Sequence, residues 1–342
     1  TSSPLSPNVL HGRKIRIRAT WLGAVYSIFK GRIEKFVPHP EKEQQSCYLL
    51  ALDGMADMAI KQIKAPVTAP YTAIKIGADP GPMKAILDEA GWPAADRLLD
   101  AGVDTLAVWW ADGESALAAI QKLEEEERSF CYSDGAGIFH YEDRHHRFKG
   151  AHLAAVAVFN ETMTAFDYEF GKRLIYNEAV ITGYKRVATA NAYVWGTQDR
   201  PRIGAGQSIS LYAKLSAPAS GITLPVANTD WKANTDIGGG GVFLTASVTI
   251  TGYQDGQSVL LILQNNAKQP VYIIPGTSDP NDTLRIQGTL YDEDQMQASQ
   301  NDATSGAAYG ARSISVDCPH KDNANDLISL AIHLVGKYKN PR

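Results

Sequence analysis

The chain has 342 residues, enough for about two or three domains with separate cores. Hydrophobic residues make up 44% and charged residues 20% of it, which excludes wholesale disorder. The net charge of −4 argues against a dedicated nucleic-acid-binding protein. No apolar run reaches the roughly eighteen residues that a membrane-spanning helix needs. Cys47, Cys131 and Cys318 are too few and too far apart for a disulfide framework and fit a reducing cytosol.

Residues 12–54 predict three consecutive β-strands. In the first, 14–20, basic and apolar residues alternate, which places them on opposite faces. Residues 21–24 predict a tight return into a second strand, 25–37, in which Gly31 indicates a bulge or a close backbone approach. Pro38 and Pro40 predict a loop, because proline cannot donate to a strand ladder. The third strand is predicted over 46–53.

Helices and a hairpin are predicted in the next part of the chain. A short helix over 55–64 is followed by a proline-rich linker and by a helix over 83–90 that ends at Gly91. Asp112 or Ser115 caps a third helix. We interpret the glutamates 124–127 at its end as a solvated helix terminus rather than a metal site. A strand, the turn 134–137 and a second strand then predict a hairpin.

The last part of the chain predicts strands, with one helix at its end. Residues 174–185 alternate as a strand, and the segment 189–280 is rich in Gly, Ser, Thr and Asn. That segment predicts an inserted β-sandwich of immunoglobulin-like build, with strands over 208–215, 242–251, 258–263 and 271–274. A strand over 284–291 returns to the interrupted domain. A loop from 302 leads to another strand, and Asp322 or Asn323 caps a helix over 324–337.

Several groups of residues could form a metal, phosphate or catalytic site, but a structural or surface role is the simpler interpretation of each. His140, His145 and His146 with Glu142 and Asp143 have metal-ligand side chains, yet nothing in their spacing assembles four converging ligands. Residues 238–241 are four glycines without the Lys-Ser/Thr of a phosphate-binding loop. The acids at 142–143 and 292–294 are sequence neighbours, so they cannot straddle a glycosidic bond. We predict no enzyme, no metal and no cofactor.

Three blocks of the chain resemble one protein family. They are Gly12-Arg13-x-Ile15-x-Ile17 with Phe29-x-Gly31-Arg32-Ile33 and Ala51-x-Asp53-Gly54, then FCYSDGAGIFHYEDRHHR over 130–147, and finally 309–342. Together they are similar to the tail-tip baseplate hub proteins, also called tail-associated or minor tail proteins, of long-tailed bacteriophages. The resemblance extends loosely over nearly the whole chain. In the family the first and last segments continue into further strands, so we expect a piece of a longer polypeptide.

The resemblance implies a fold and a division into domains. The expected fold class is α+β and β-dominated, with two tail-tube-like β-barrel domains, a small helix-plus-hairpin domain and the inserted sandwich. The first barrel covers 1–64 and lacks its N-terminal strands, the helix-plus-hairpin domain covers 80–148, and the second barrel combines 149–188 with 281–342. The sandwich covers 189–280. The two barrel units would be copies of one wall element around a threefold axis.

The resemblance also implies a function and partners. The chain would be a structural virion protein of the tail tip, assembled in the host cytoplasm as a homotrimeric ring. It would join the distal tail or tail-tube protein to tail fibres or a central spike, and would line the channel through which genomic DNA leaves. No insertion into a membrane is expected from this segment.

Two sets of residues are candidate contact sites. The basic residues of the opening strands are expected either to face a neighbouring subunit or to form a solvated strand face: Lys14, Arg16, Arg18, Arg32 and Lys35. Three aromatic residues of the sandwich could stack on host-surface sugars, although core packing is the simpler reading: Trp195, Tyr212 and Trp231.

Two other functions remain open at this stage. The chain could be the hub of a tail-derived injection particle or gene-transfer agent. It could also be a cell-wall-degrading or carbohydrate-binding tail protein, in which Glu142 or Asp143 would be the catalytic acids to test.

Overall fold

A computed structural model describes residues 10–40, 45–63, 74–106, 108–111, 113–154 and 174–340. These residues form nineteen β-strands and five α-helices, arranged in six sheets. The predicted β-dominated mixture of strands and helices is confirmed, but none of the described sheets closes into a barrel. Among the described helices, none is long and apolar enough to cross a membrane.

The opening strands form an antiparallel meander of β1 (Lys14–Trp21), β2 (Ala24–Pro40) and β3 (Gln45–Leu52). The predicted return is confirmed: Leu22 and Gly23 have φ angles of 48° and 79°, as a two-residue hairpin turn requires. The predicted close approach at Gly31 is also present, because a Cβ there would lie 2.1 Å from the Leu52 carbonyl oxygen.

The predicted loop at Pro38 and Pro40 is wrong, because β2 continues through both prolines and pairs with β3. Strand β1 pairs with β2 only as far as Arg32. Ile33 still exchanges backbone hydrogen bonds with Gly12 and Arg13. From Glu34 onward β3 is the only strand that pairs with β2 among the described residues, and a proline can direct its missing N–H to the other side.

The helix-plus-hairpin region follows. Its helices are α1 (Gly54–Ile60), α2 (Pro82–Ala90) and α3 (Ala116–Glu127). Its strands are β4 (Ile74–Lys75), β5 (Arg97–Leu99), β6 (Thr105–Leu106), β7 (Phe130–Ser133) and β8 (Phe139–Glu142). Gly91 ends α2 with a φ of 80°, and the Ser115 hydroxyl caps α3 by accepting from the Ala118 amide. The alternative cap, Asp112, lies outside the described residues.

One apolar core joins these elements, with Met83, Ile86 and Leu87 of α2 packed against Ile120 and Leu123 of α3. The interpretation of 124–127 as a solvated helix end is wrong, because Glu126 and Glu127 are both buried. Glu127 accepts a 2.5 Å hydrogen bond from the Tyr141 hydroxyl and another from the Val103 amide. Burial raises the pKa of Glu127, and the two hydrogen bonds oppose that shift.

The next strand, β9 (Glu178–Ala188), precedes the predicted insert. The sequence also predicts a strand near Val156 and Val158, and these residues lie outside the described part of the chain. The insert contains eight strands: β10 (Ala192–Thr197), β11 (Arg202–Ile203), β12 (Ser208–Lys214), β13 (Ala219–Thr223), β14 (Trp231–Asn234), β15 (Val248–Asp255), β16 (Ser258–Asn265) and β17 (Val271–Pro275).

Two three-stranded sheets, ordered β11-β17-β14 and β12-β16-β15, share one apolar core and form a sandwich. The predicted single strand over 242–251 is wrong, since residues 245–247 form a short 3-10 turn and β15 begins at Val248. The Thr245 side chain accepts from the Ala233 amide at 3.1 Å, and this contact turns the chain there.

The closing elements are β18 (Leu284–Asn301), α4 (Ala303–Tyr309), β19 (Ser313–Cys318) and α5 (Ala324–Tyr338). Strand β18 belongs to two parts of the structure. Leu284 and Ile286 near its start lie in the sandwich core, while residues 291–301 pair with β9 of the closing unit. The sandwich therefore includes residues beyond the expected boundary at 280. Helix α4 replaces a predicted loop, whereas α5 and its Asn323 cap are confirmed.

The expectation that the two end units are copies of one wall element is wrong for the described residues. In the closing unit β9 is the central strand, antiparallel to β18 and parallel to β19, and α5 packs its apolar stripe over the sheet. In the meander all neighbours are antiparallel and β2 is central. The two units therefore differ in topology.

The contact between β9 and α5 predicts opposite effects of two glycine-to-alanine changes. A Cβ at Gly183 would lie 2.8 Å from both the Leu327 side chain and the Lys321 carbonyl oxygen. We expect Gly183→Ala to lower the free energy of unfolding by about 2 kcal/mol. Gly336 in α5 has open space around its Cα, so Gly336→Ala should raise stability by about 0.5–1 kcal/mol. Urea unfolding measures both, and equal effects would contradict this packing.

Candidate interaction surface

The meander is an open sheet with almost no core of its own. Ile33 is its only buried hydrophobic residue within the described part of β1–β3, at 5% exposure. Large apolar side chains are exposed along all three strands and the turn: Ile17, Trp21, Leu22, Val25, Tyr26, Ile28, Tyr48, Leu49, Leu50 and Leu52. A large number of exposed apolar side chains on one small sheet is typical of an interaction site.

The strand register places several predicted contact residues on one face of this sheet. Lys14 lies opposite Arg32, and Arg16 lies opposite Lys30, so four cations share that face. Arg18 and Lys35 lie beyond β-bulges that follow Ile17 and Ile33. Lys30 was not among the predicted residues, although it lies in the same strand as Arg32 and Lys35.

Two cations of this basic face already form ion pairs within the chain. Arg32 pairs with Asp57 of α1, and Lys30 pairs with Asp96, each at 3.0 Å. With Lys14 and Trp92 these residues line a cleft of about 330 Å³ between the meander and the helix-plus-hairpin region. Arg16, Arg18 and Lys35 are exposed and are the part of the predicted set that can contact another molecule.

The three predicted sugar-stacking residues lie in different environments. Trp231 is 2% exposed, belongs to the sandwich core and donates its indole N–H to the Pro225 carbonyl oxygen, so its ring is not available at the surface. Trp195 is half-buried and packs against the same core. Tyr212 is 63% exposed. Of the three, Tyr212 is therefore the one whose side chain is mostly exposed.

The histidine cluster is divided among separate local partners. His140 Nε2 contacts Asp134 at 3.2 Å and its ring stacks on Tyr132, while His146 Nδ1 contacts Asp100 at 2.7 Å. His145 turns instead toward His333 of α5, with ring centroids 5.5 Å apart. The described residues contain no group of three or more His, Cys, Asp or Glu side chains that could hold a metal.

A buried ionic cluster joins the helix-plus-hairpin region to the closing unit. Both Asp104 carboxylate oxygens accept hydrogen bonds from Arg144, one of them at 2.8 Å, and Lys321 also donates to Asp104. All three side chains are buried. Arg144 donates in addition to the Ser329 hydroxyl of α5 at 3.2 Å. Burial lowers the pKa of Lys321, and the charge of Asp326 opposes the shift.

The buried ionic cluster and Trp110 together form a junction between the helix-plus-hairpin region, the closing unit and the sandwich. Its ring meets His320 edge-on with centroids 4.9 Å apart, and the Arg186 guanidinium lies 4.6 Å from its ring centroid. His320 Nδ1 is 2.6 Å from the buried Glu126 carboxylate. The turn between β15 and β16 also approaches Trp110, because a Cβ at Gly256 would lie 3.0 Å from its indole ring. The junction therefore fixes three regions of the chain against one another.

No protein-family model matches the chain, and no curated protein is significantly similar to it in sequence. The function proposed below therefore depends on the residues and geometry described here and on the resemblance of the three sequence blocks.

The buried cluster predicts a large cost for removing the carboxylate that its two basic side chains share. Asp104→Ala leaves Arg144 and Lys321 buried without that hydrogen-bond acceptor, and we expect the free energy of unfolding to fall by about 3–5 kcal/mol. Lys84→Ala, which breaks an exposed helical pair with Asp88, is the control and should have no measurable effect. If Asp104→Ala unfolds in urea at the same midpoint as the Lys84 variant, the cluster does not stabilise the junction.

His333 predicts a loss of stability in mild acid. Burial, and then the charges of Arg144, His145 and Lys337, lower its pKa from 6.5 to about 4. Between these two values the unfolded chain binds a proton that the folded chain does not, so stability falls as the pH falls from about 6.5 to 4. We expect this group to contribute on the order of 1 kcal/mol over that window.

Denaturation midpoints measured from pH 7 to pH 4.5 test this sign. His333→Gln should flatten the dependence on pH, and Lys337→Gln, which removes one of the repelling charges, should flatten it less. A slope that is unchanged in His333→Gln would show that other groups dominate the acid response.

Proposed function

We propose that this chain is a structural subunit of the baseplate hub at a phage tail tip, which assembles into a homotrimeric ring. In that role it links the distal tail or tail-tube protein to fibres or a spike, and the ring surrounds the channel for DNA exit. Three sequence blocks resemble this family. The observation that supports the proposal is the meander: among the described residues its two outer strands have no further strand partner, and Ile33 is its one buried hydrophobic residue.

Such a sheet needs a partner to become stable. An isolated three-stranded sheet requires a hydrophobic face packed against other structure, and open edges invite pairing with another chain. The closing unit also has an open edge within the described residues. Residues 292–301 of β18 pair there with β9 alone, whereas β10 and β13 both pair with Gly288, nearer the start of β18. We infer that barrels close only when strands from neighbouring subunits join these edges.

The finer architecture follows from the same proposal. The meander and the closing unit are each part of a tube-like wall, although their different topologies do not support an exact internal repeat. The sandwich, for which we propose an immunoglobulin-like build, lies outside the wall and faces the surroundings of the tail. The chain acts by assembly, with neither a cofactor nor a catalytic centre.

The environments of Glu142 and Asp143 favour a structural role over wall degradation. Glu142 is buried and accepts hydrogen bonds from the Tyr132 hydroxyl at 2.7 Å and from Arg147 at 2.8 Å. Burial would raise the pKa of this carboxyl, but the two hydrogen bonds outweigh burial and hold the pKa below its ordinary value. A general acid of a glycosidase needs the opposite shift. Asp143 accepts from the His145 amide at 2.7 Å.

The oligomeric state of the full chain tests the proposal. Sedimentation should give a species of three times the 37.1 kDa chain mass, and negative-stain images should show a ring. Ile17→Asp and Tyr26→Asp place charge on exposed apolar positions of the meander, and each should yield monomers.

Val226→Asp is the matched control, because Val226 is equally exposed but lies on the sandwich; it should leave the ring intact. A wild-type chain that remains monomeric at its highest soluble concentration, with and without a distal tail protein, contradicts the proposed function. A ring that survives both meander variants would place the interface elsewhere.

A further inference from the structure

The hairpin of β1 and β2 projects beyond the sheet to which it belongs. Strand β3 pairs with β2 only from Arg32 onward, so residues 24–31 have β1 as their only strand partner in the described part of the chain. Every residue from 16 to 26 is exposed. Because successive residues of a strand point to opposite faces, no described residue covers either face of this end. A two-stranded ribbon of this kind gains little stability from its own contacts.

The end of this hairpin is apolar. Its side chains Trp21, Leu22 and Val25, which we call the apolar tip, are 69%, 91% and 61% exposed. Leu22 has a φ of 48°, a left-handed conformation that is unfavourable for a bulky side chain. Asparagine or glycine is the usual residue at this position of a two-residue turn. The stability of the turn therefore does not account for Leu22, whereas a partner that takes up apolar side chains would.

Basic side chains follow the apolar tip along the hairpin. Residues 12–33 contain six Lys and Arg residues and no acid, although the whole chain has a net charge of −4. Arg16 and Arg18 are exposed and form no ion pair with the described residues. Arg18 precedes Trp21 by three residues, which places it about 10 Å behind the tip, and Arg16 lies about 17 Å behind it.

The ion pairs of this ribbon lie at its base, where Lys30 contacts Asp96 and Arg32 contacts Asp57. The projecting end therefore keeps its positive charge close to the apolar tip. A nucleic acid would be attracted by that charge, but its phosphate backbone offers no apolar medium for the tip. An anionic lipid surface offers both, because its phosphate groups lie a few ångströms above its acyl chains.

We propose that the apolar tip enters the surface of a bilayer that contains anionic lipid. Leu22 and Val25 reach the boundary of the acyl chains, and the Trp21 indole lies at the level of the headgroups. Arg16 and Arg18 contact lipid phosphates. This contact differs from the expectation, implied by the family resemblance, that the segment does not enter a membrane. The proposal rests on the hairpin alone and not on whether the chain forms a ring.

Sedimentation of the purified full chain with liposomes tests the proposal. Vesicles of phosphatidylcholine alone are compared with vesicles in which about a quarter of the lipid is phosphatidylglycerol. Binding to the anionic vesicles should be about tenfold stronger, and high salt should weaken but not abolish it, because salt screens only the charged contacts. Trp21 is the one exposed tryptophan among the six in the chain, so brominated acyl chains should quench its fluorescence.

A variant of the turn separates lipid binding from folding. Leu22→Asn replaces the apolar side chain with a residue that the turn prefers, so the melting temperature should not fall. Binding to anionic vesicles should nevertheless weaken by about tenfold, because the tip loses its most exposed apolar group. Ile60→Asn is the matched control: Ile60 is 82% exposed at the end of α1, and its replacement should leave binding unchanged.

A second set of variants tests the basic side chains. Arg16→Gln combined with Arg18→Gln should remove most of the preference for anionic vesicles and leave weak binding through the apolar tip. The control combines Lys214→Gln with Lys268→Gln, two exposed cations of the sandwich, and should retain the full preference.

Three results would overturn the proposal: the chain does not bind anionic vesicles, Leu22→Asn binds them as the wild type does, or high salt abolishes binding and duplex DNA competes for it. If Leu22→Asn instead dissociates an oligomer and leaves vesicle binding unchanged, the apolar tip is a contact between copies of the chain. A chain that binds vesicles but forms no ring would refute the proposed hub function alone.

Discussion

The buried carboxylate of Asp104 joins two regions of the molecule. It accepts hydrogen bonds from two buried basic side chains: Arg144 at the end of the hairpin, and Lys321 just before the last helix. Each partner would be costly to bury alone, so the three side chains must meet in one arrangement. Residues more than two hundred positions apart are thereby placed at a fixed distance, and the ionic cluster determines how the two regions are oriented.

This junction explains how the chain can carry an incomplete sheet. The apolar cores of the helix-plus-hairpin region, the sandwich and the closing unit are each internally packed, while the described part of the meander contributes a single buried hydrophobic residue. The meander contacts the helix-plus-hairpin region through Lys30–Asp96, Arg32–Asp57 and the turn at Gly135, where a Cβ would lie 2.3 Å from the Ser27 carbonyl oxygen. Most of the packed core therefore lies outside the surface for which we propose a role in assembly.

Local signals in the sequence predicted much of the fold, and tertiary contacts account for what they missed. The turn at Leu22 and Gly23, the Ser115 cap and helix α5 depend on residues close in sequence, and all three were predicted. The burial of Glu126 depends on His320, almost two hundred residues away, which no local pattern reveals. Among the surface residues, the basic alternation of β1 was visible, but the exposure of Trp21 and Leu22 was missed, because a pattern that predicts a turn does not show whether other parts of the chain cover it.

The same junction fixes the β15–β16 hairpin of the sandwich at its tip. The backbone of Gly256 lies against Trp110, whose ring also contacts His320 and Arg186. Strand β12 pairs with β16 along its whole length, so the anchor at the tip extends to the whole sheet β12-β16-β15. A sheet that is fixed both by its register and by its turn has little conformational freedom left to lose, so less of the energy of any contact made on it would be spent on ordering.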